Sequence, residues 1–238
     1  MGDEEMARPA VSLWWSGVAA GLSISFSPLA QAILQSHLPD APWRHLVSSL
    51  GYAVGFIMVV MARQQLFTEN TITVVLPVLA ELRAKNVLRL CQLWAIVLVA
   101  NIAGTLAAAV FCTYTPVLPP ELRDAMLAVS GHLLDHSWLE MAFRGVAAGF
   151  LIAAMVWLIP SADGAQFHVI TLMTYLIAAA GFMHIIAGSV EAFLLVLHGD
   201  LGWWAMVTDF FVPVLVGNVV GGTALFALIA YAQVMQEI

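Results

Sequence analysis

Two polar stretches interrupt the apolar segments of this chain, and they carry the side chains best suited to chemistry. The first is Arg-Gln-Gln-Leu-Phe-Thr-Glu-Asn-Thr at residues 63–71, directly after an apolar run. The second contains His184, Ser189 and Glu191. A titratable side chain inside a long apolar segment is costly unless it is buried in protein or lines a cavity. Because an imidazole can donate a hydrogen bond or exchange a proton near neutral pH, both stretches are candidates for a transport pathway.

Composition places the rest of the chain in a lipid bilayer. Of 238 residues, 62% are hydrophobic and 10% are charged, and the mean hydropathy is +0.93. A soluble domain needs far more charge to cover its surface. The net charge of −7 excludes a basic nucleic-acid-binding surface. The two cysteines give neither a disulfide framework nor a metal-ligand spacing, and the N-terminus lacks the basic region of a cleaved signal peptide.

Six apolar runs are long enough to span hydrocarbon, which takes about 20 residues. The second run contains the polar residues 63–71 and the fifth contains His184, so these two helices are predicted to be broken. The runs are Val11–Leu34, Leu46–Ala80, Cys91–Thr113, Trp138–Pro160, Val169–His198 and Thr208–Tyr231.

Short motifs recur in the same order in the two halves of the chain. Gly17–Leu22 resembles Gly145–Phe150 at an offset of 128 residues, and Val97–Gly104 resembles Val214–Gly221 at 117. Because each half then has three spans, the second half must enter the membrane from the opposite face. The sequence predicts an all-α membrane protein with six transmembrane spans in two inverted three-span repeats. We expect one channel domain over residues 1–238, with repeats at about 11–113 and 138–234.

A third match sets the alignment of the two breaks. Gly55-Phe56 recurs as Gly181-Phe182 at an offset of 126, which places Arg63 opposite Ser189 and Gln65 opposite Glu191. On this alignment Arg63 and Glu191 are predicted to form a structural ion pair between the broken helices. The alternative is that Arg63 recruits an anion and Glu69 relays protons.

The distribution of basic residues indicates an orientation. Four lie on the side of the N-terminus (Arg8, Arg83, Lys85 and Arg89), against three on the opposite side (Arg44, Arg123 and Arg144). Because loops rich in lysine and arginine stay in the cytoplasm, both termini are predicted to be cytoplasmic.

The two breaks also resemble those of the formate/nitrite transporter family, and the resemblance covers nearly the whole chain. Leu66-Phe67-Thr68-Glu69-Asn70 is similar to the Leu-Phe-Thr-Gly-Asn loop in the family's second helix. Phe182–Ala187 is similar to the Phe-x-His-x-x-Ala element of its fifth helix, and Gly217–Gly222 resembles the sixth. Three positions depart from the pattern, with Glu69 for the family's glycine, Met183 for its glutamate and Gly188 for its asparagine.

The resemblance implies an aquaporin-like protomer in the bacterial inner membrane, a homopentamer with one pore per protomer, and conduction of small monovalent anions. It also implies pore or substrate contacts for Leu66, Phe67, Thr68, Glu69, Asn70 and His184. No cofactor, metal or nucleic-acid partner is expected, and the chain offers no enzyme signature.

Several of these residues have alternative interpretations. His184 can be a neutral histidine in the packed core, or it can line the pore and donate a hydrogen bond or a proton. Thr68 can cap a helix that resumes at Ile72, or present its hydroxyl to the pore. Asn101 and Asn218, at equal places in the repeats, are expected to bind backbone groups freed by the breaks.

His132 and His136 have the spacing of metal ligands on a helix, but they lie in a polar loop and are expected to be solvated. The predicted function is therefore a channel for formate-like anions, with proton linkage through His184 as one possibility. The alternative is a pore for an uncharged solute such as water, ammonia or a neutral weak acid, which the carboxylate of Glu69 favours.

Overall fold

The computed structural model describes residues 2–234, and every regular element in that range is helical. Five helices have the length and composition to cross a membrane, and three shorter apolar helices accompany them. In chain order the helices are α1 Gly2–Ala7, α2 Ala10–His37, α3 Arg44–Met61, α4 Phe67–Ala80, α5 Ala84–Tyr114, α6 Pro120–Ser130, α7 Trp138–Ser161, α8 Gln166–Ala179, α9 Ile185–His198 and α10 Trp203–Gln233.

These eight apolar helices form six membrane crossings, because four of them pair up as two interrupted crossings. The second crossing is α3 with α4, and the fifth is α8 with α9. The predicted all-α membrane fold with broken second and fifth helices is therefore confirmed. The helix after the first break begins at Phe67, however, five residues before the predicted restart at Ile72.

The two breaks have the same backbone geometry. After α3 the chain reverses at Arg63, with φ of 52°, and after α8 it reverses at Gly181, with φ of 66°. The next residue in each break donates a backbone hydrogen bond into the last turn of the preceding helix, Gln64 to Val59 at 3.0 Å and Phe182 to Ile177 at 2.8 Å. The structural equivalence of the breaks is thus Arg63 with Gly181, an offset of 118, and the alignment at 126 was wrong.

Helices α2 and α5 cross closely in the first half, as α7 and α10 do in the second. The crossings are formed by glycines. A Cβ atom at Gly21 would collide with the carbonyl oxygen of Asn101, and one at Gly149 would collide with that of Asn218. Because backbones in lipid associate through close van der Waals contact, these glycines bring the two asparagines to equivalent places beside the breaks.

Candidate functional site

The two broken helices meet at a hydrogen bond between Thr68 and His184. Thr68 lies in the first turn of α4, and His184 directly precedes α9. The Oγ1 atom of Thr68 lies 2.7 Å from Nε2 of His184, and both side chains are almost wholly buried. The interrupted segments therefore place one polar pair where the two halves of the molecule face each other.

The hydrogen bonds of His184 define its tautomer. The backbone N–H of Ala187 donates to Nδ1 of His184 at 3.2 Å, so the imidazole caps the N-terminus of α9. A nitrogen that accepts a hydrogen bond carries no proton, so the neutral ring holds its proton on Nε2 and donates it to Thr68. The Thr68 hydroxyl keeps its own proton for a further acceptor. A proton added at Nδ1 would break the cap.

Buried apolar side chains lie next to this pair. The ring of Phe56 meets the imidazole of His184 edge to face, with centroids 5.0 Å apart. Leu66 and Phe67 are also almost wholly buried, and Phe67 packs against Trp94 at 5.7 Å. A small species that reaches the pair must lose most of its water, so a bare ion is opposed unless it is hydrogen-bonded or neutralised.

Asn101 and Asn218 hold the breaks by the same three hydrogen bonds. Asn101 accepts from the backbone N–H of Phe67 at 2.9 Å and donates to the carbonyls of Gln65 and Gly17, both at 2.8 Å. Asn218 accepts from the N–H of Ile185 at 2.9 Å and donates to the carbonyls of Met183 at 2.8 Å and Gly145 at 2.9 Å.

Each amide thus satisfies backbone groups that the break has freed from helical pairing. The matching partners, Phe67 with Ile185 and Gln65 with Met183, keep the offset of 118 that the backbone reversals show. Two separate features of the structure therefore align the halves in the same way.

On the side of α1, a polar network closes over the break. Gln65 donates to Oε2 of Glu5 at 2.6 Å, and Asn70 donates to Oε1 of Gln65 at 3.1 Å. Two buried oxygens, Oε1 of Gln64 and Oε1 of Glu69, have no hydrogen-bond partner among the described residues. This face of the break therefore offers hydrogen-bond acceptors, among them the carboxyl groups of Glu5 and Glu69.

On the opposite side, a cavity of about 250 Å³ reaches down to His184. We call it the histidine vestibule, because its wall includes His45, His132, His136 and His184 together with Tyr52 and Glu191. No three His, Cys, Asp or Glu side chains between residues 2 and 234 are placed to hold a metal ion. His132 and His136 line this cavity, partly buried, and are not loop residues free in solvent.

The predicted ion pair between Arg63 and Glu191 is not formed. Arg63 is exposed at the reversal after α3, whereas Glu191 is buried in α9 and lines the histidine vestibule. The equivalence of Arg63 with Gly181 explains the error, because Arg63 occupies a turn position on the α1 side rather than one facing α9. Within the part of the chain that the structure describes, Arg63 has no salt bridge.

Sequence reasoning missed four residues of the site. The sequence analysis assigned no role in the site to Phe56, Tyr52 or His45. Arg144 donates to the carbonyl oxygen of Gly181 at 2.9 Å, and its own carbonyl oxygen accepts from Met183. A basic residue seven positions into an apolar run was the available signal for Arg144. The other three carried none.

Comparison with known proteins gives a consistent result. The model of the formate/nitrite transporter family matches residues 1–232. The inner membrane protein YfdC of Escherichia coli is 45% identical over 236 residues, which cover 99% of this chain and 76% of that protein. The formate channel FocA of Haemophilus influenzae is 26% identical, over 90% of this chain and 84% of its own.

Solved structures show the same fold. A pentameric formate channel with formate bound superposes with a TM-score of 0.83 at 22% sequence identity, covering 95% of this chain and 98% of the other. A family ion channel gives 0.82 at 19%, covering 94% of this chain and 90% of its own. Paired breaks joined at Thr68 and His184, on an aquaporin-like fold and with a family match along almost the whole length, lead to one conclusion: the chain belongs to the formate/nitrite transporter family, whose members are membrane transporters and not enzymes.

Proposed function

We propose that this protein conducts small monovalent anions of the formate and nitrite type through a pore in each protomer, past the Thr68–His184 pair. The observation that carries the proposal is the hydrogen bond between these two buried side chains at the meeting point of the breaks. Similarity to the formate channel FocA and to a formate-bound channel supports the substrate class.

The Thr68–His184 pair can bind a small anion because the hydroxyl group of Thr68 is free to donate a hydrogen bond. The neutral imidazole donates from Nε2 to Thr68, which leaves the threonine hydroxyl to donate to an anion oxygen. Hydrogen bonds to a charged acceptor are about twice as strong as neutral ones, so this chain of donors lowers the barrier in the apolar ring. We assign this ring to Phe56, Leu66 and Phe67, because all three are buried apolar side chains close to the pair in space or in sequence.

The oligomeric state and the orientation of the pore are proposed from its relatives and from the distribution of basic residues. The protein is integral to the inner membrane, as the name of its relative YfdC states for that protein. We further propose a homopentamer, in line with the pentameric formate channel, and cytoplasmic termini. The histidine vestibule then opens to the outer face of the membrane, and Glu5, Glu69 and Asn70 face the cytoplasm.

A pore for an uncharged small solute is the second candidate. Glu69 stands where the family has glycine, and its Oε1 is buried without a hydrogen-bond partner in residues 2–234. Glu5 lies in the same network, and no cation is paired with Glu69 there. When it is ionised, a carboxyl group in this position repels anions, and in that state water, ammonia or a neutral weak acid fits this face of the pore better.

Flux measurements in proteoliposomes separate the two candidates. We expect entry of formate, nitrite or hydrosulfide well above empty liposomes, and little entry of chloride. Water and ammonia measured in the same vesicles test the second candidate. Rapid passage of these neutral solutes without any of the anions would replace the first proposal by the second.

A further inference from the structure

The histidine vestibule contains a carboxyl group that no described residue satisfies. Glu191 is 4% exposed, lies in α9 and lines the vestibule, yet it takes part in no hydrogen bond or ion pair within residues 2–234. A buried carboxylate without a partner is strongly disfavoured relative to its protonated form. The carboxyl group is therefore suited to hold a proton, and it can give that proton to an acceptor in the cavity when a nearby histidinium stabilises the carboxylate that remains.

The acids and bases around Glu191 can be followed element by element. Tyr52 and His45 come from α3, His132 from the turn after α6, His136 from the following loop, and His184 from the start of α9. Helix α2 contributes only the uncharged Gln31 and Gln35 to the cavity wall, and α6 contributes only Ala128 and Val129. Apart from the phenol of Tyr52, the groups that can exchange a proton with Glu191 are thus histidines.

His132 is oriented to accept a proton. Its Nδ1 lies 2.8 Å from the carbonyl oxygen of Val129, which is an acceptor, so Nδ1 carries the proton of the neutral ring. Nε2 then has a free lone pair. His184, in contrast, has both ring nitrogens in hydrogen bonds within the protein.

The charge of His136, which also lines the histidine vestibule, depends on the pH there. Partial burial lowers the pKa of the His136 imidazole, and the nearby Arg144 cation lowers it further. His136 is therefore neutral at neutral pH and becomes a cation only as the vestibule is acidified, which then draws anions in.

We propose that Glu191 is a proton-exchange site that protonates the conjugate base of a weak acid in the histidine vestibule before the acid passes Thr68 and His184. This inference rests on the proposed function and narrows its substrate class to small monocarboxylates and similar weak-acid anions. A cavity of about 250 Å³ has room for such an anion together with several waters.

The proton transfer balances without a further reactant. The O–H bond of the Glu191 carboxyl group breaks, its electron pair stays on the carboxylate, and an O–H bond forms on the anion. The neutral acid then crosses the apolar ring of Phe56, Leu66 and Phe67 at much lower cost than the ion. A vestibule histidinium returns a proton to Glu191 and is itself reprotonated from water outside.

The test uses purified full-length protein in liposomes, with formate as substrate and a pH-sensitive dye inside. For the wild type we expect formate uptake that rises as the outside is acidified from neutral to pH 5, with a proton entering alongside each formate. Glu191→Gln keeps the shape and polarity of the side chain but cannot exchange a proton. We expect it to lose about 100-fold of this uptake, the lower end of what a positioned acid contributes.

Two variants control this comparison. Glu191→Asp retains a carboxyl group and should recover part of the uptake and its proton coupling. Glu121→Gln, at an exposed position in the first turn of α6, should match the wild type. Wild-type uptake and wild-type proton entry in Glu191→Gln would overturn the proposal.

The remaining outcomes are equally decisive. If Glu191→Gln does not assemble, the wild type alone decides, because formate entry without proton entry removes the need for a proton donor and contradicts the inference. That result leaves the anion channel intact. If the wild type moves no anion at all, the proposed function fails, and the proton-exchange site falls with it.

Discussion

His184 makes two hydrogen bonds, one through each ring nitrogen, and only the bond through Nε2 belongs to the proposed pore. Nδ1 caps α9 and so excludes a proton, which leaves Nε2 as a fixed donor toward Thr68. A histidine held in this way is a poor proton carrier, because protonation at Nδ1 breaks the cap. The sequence left open whether His184 donates a hydrogen bond or a proton, and the geometry favours the hydrogen bond.

Substitution of His184 tests this division. His184→Phe removes the donor and the cap, so conduction of formate should fall by about tenfold or more, in line with the loss of a hydrogen bond to a charged group. His184→Asn can accept from Ala187 and still donate to Thr68, so it should conduct and keep the pH dependence of the wild type. Flux against pH in liposomes measures both.

Each His184 variant has an outcome that would contradict the role proposed for this residue. Wild-type flux in His184→Phe would place the residue in the packed core and remove it from the pore. Loss of the pH dependence in His184→Asn would make the imidazole the titrating group, in conflict with the role assigned to Glu191. Size-exclusion chromatography in detergent confirms that each variant is assembled.

Single residues also show where sequence reasoning reached its limit. The polar breaks, His184 and the paired asparagines are visible because polar residues within apolar runs are rare and costly. The partner of Arg63 was not visible. Its assignment depended on an offset of 126, whereas the structure gives 118 at the breaks, so the helices of the second half differ in length from those of the first.

At the scale of helices, Asn101 and Asn218 connect each break to the helices beside it. Each side chain satisfies three buried backbone groups. Asn101→Ala or Asn218→Ala should therefore reduce stability by about 1–3 kcal/mol for each group left without a partner. Thermal unfolding of the detergent-solubilised protein, followed by tryptophan fluorescence, should show a clearly lower midpoint for both variants.

Asn86→Ala provides the matched control, because Asn86 makes one exposed hydrogen bond, to the carbonyl oxygen of Glu81. We expect almost no change in its unfolding midpoint. Equal shifts for Asn86, Asn101 and Asn218 would show that the broken helices are held by packing alone.

The glycines at the helix crossings lead to a separate prediction about stability. A Cβ atom at Gly149 would lie 2.8 Å from the Cα atom of Asn218, whereas one at Gly131 meets no atom within 4 Å. Gly149→Ala must push α7 away from α10, which should cost about 1–3 kcal/mol and disturb the amide that holds the second break. Gly131→Ala should leave the unfolding midpoint unchanged. Equal midpoints for the two variants would mean that α7 and α10 separate without penalty.

Across the whole molecule, the two sides of the proposed pore carry different kinds of polar side chain. The α1 side presents Glu5, Glu69 and other acceptors, and the opposite side presents histidines and a carboxyl group that can hold a proton. The inverted repeat makes the backbones of the halves equivalent while their side chains have diverged. The fold was predictable from the repeat, but this asymmetry was not. It depends on side chains that differ between the two halves, such as Glu69 and Glu191, and on His132 and His136 in the connection that the repeat does not align.

Both members of the central pair come from one chain, so each protomer should contain a complete pathway. This can be tested in the proposed pentamer by coexpressing wild-type and His184→Phe subunits. If the five pores act independently, equal amounts should leave about half of the wild-type formate flux, because each wild-type subunit still conducts. If the anion instead crosses one pore shared by all five subunits, and any one variant blocks it, random mixing leaves only about 3%. The flux is measured at constant total protein as the fraction of His184→Phe subunits increases. A linear decrease supports a pore in every protomer, whereas a much steeper decrease would indicate a single pathway at the centre of the assembly.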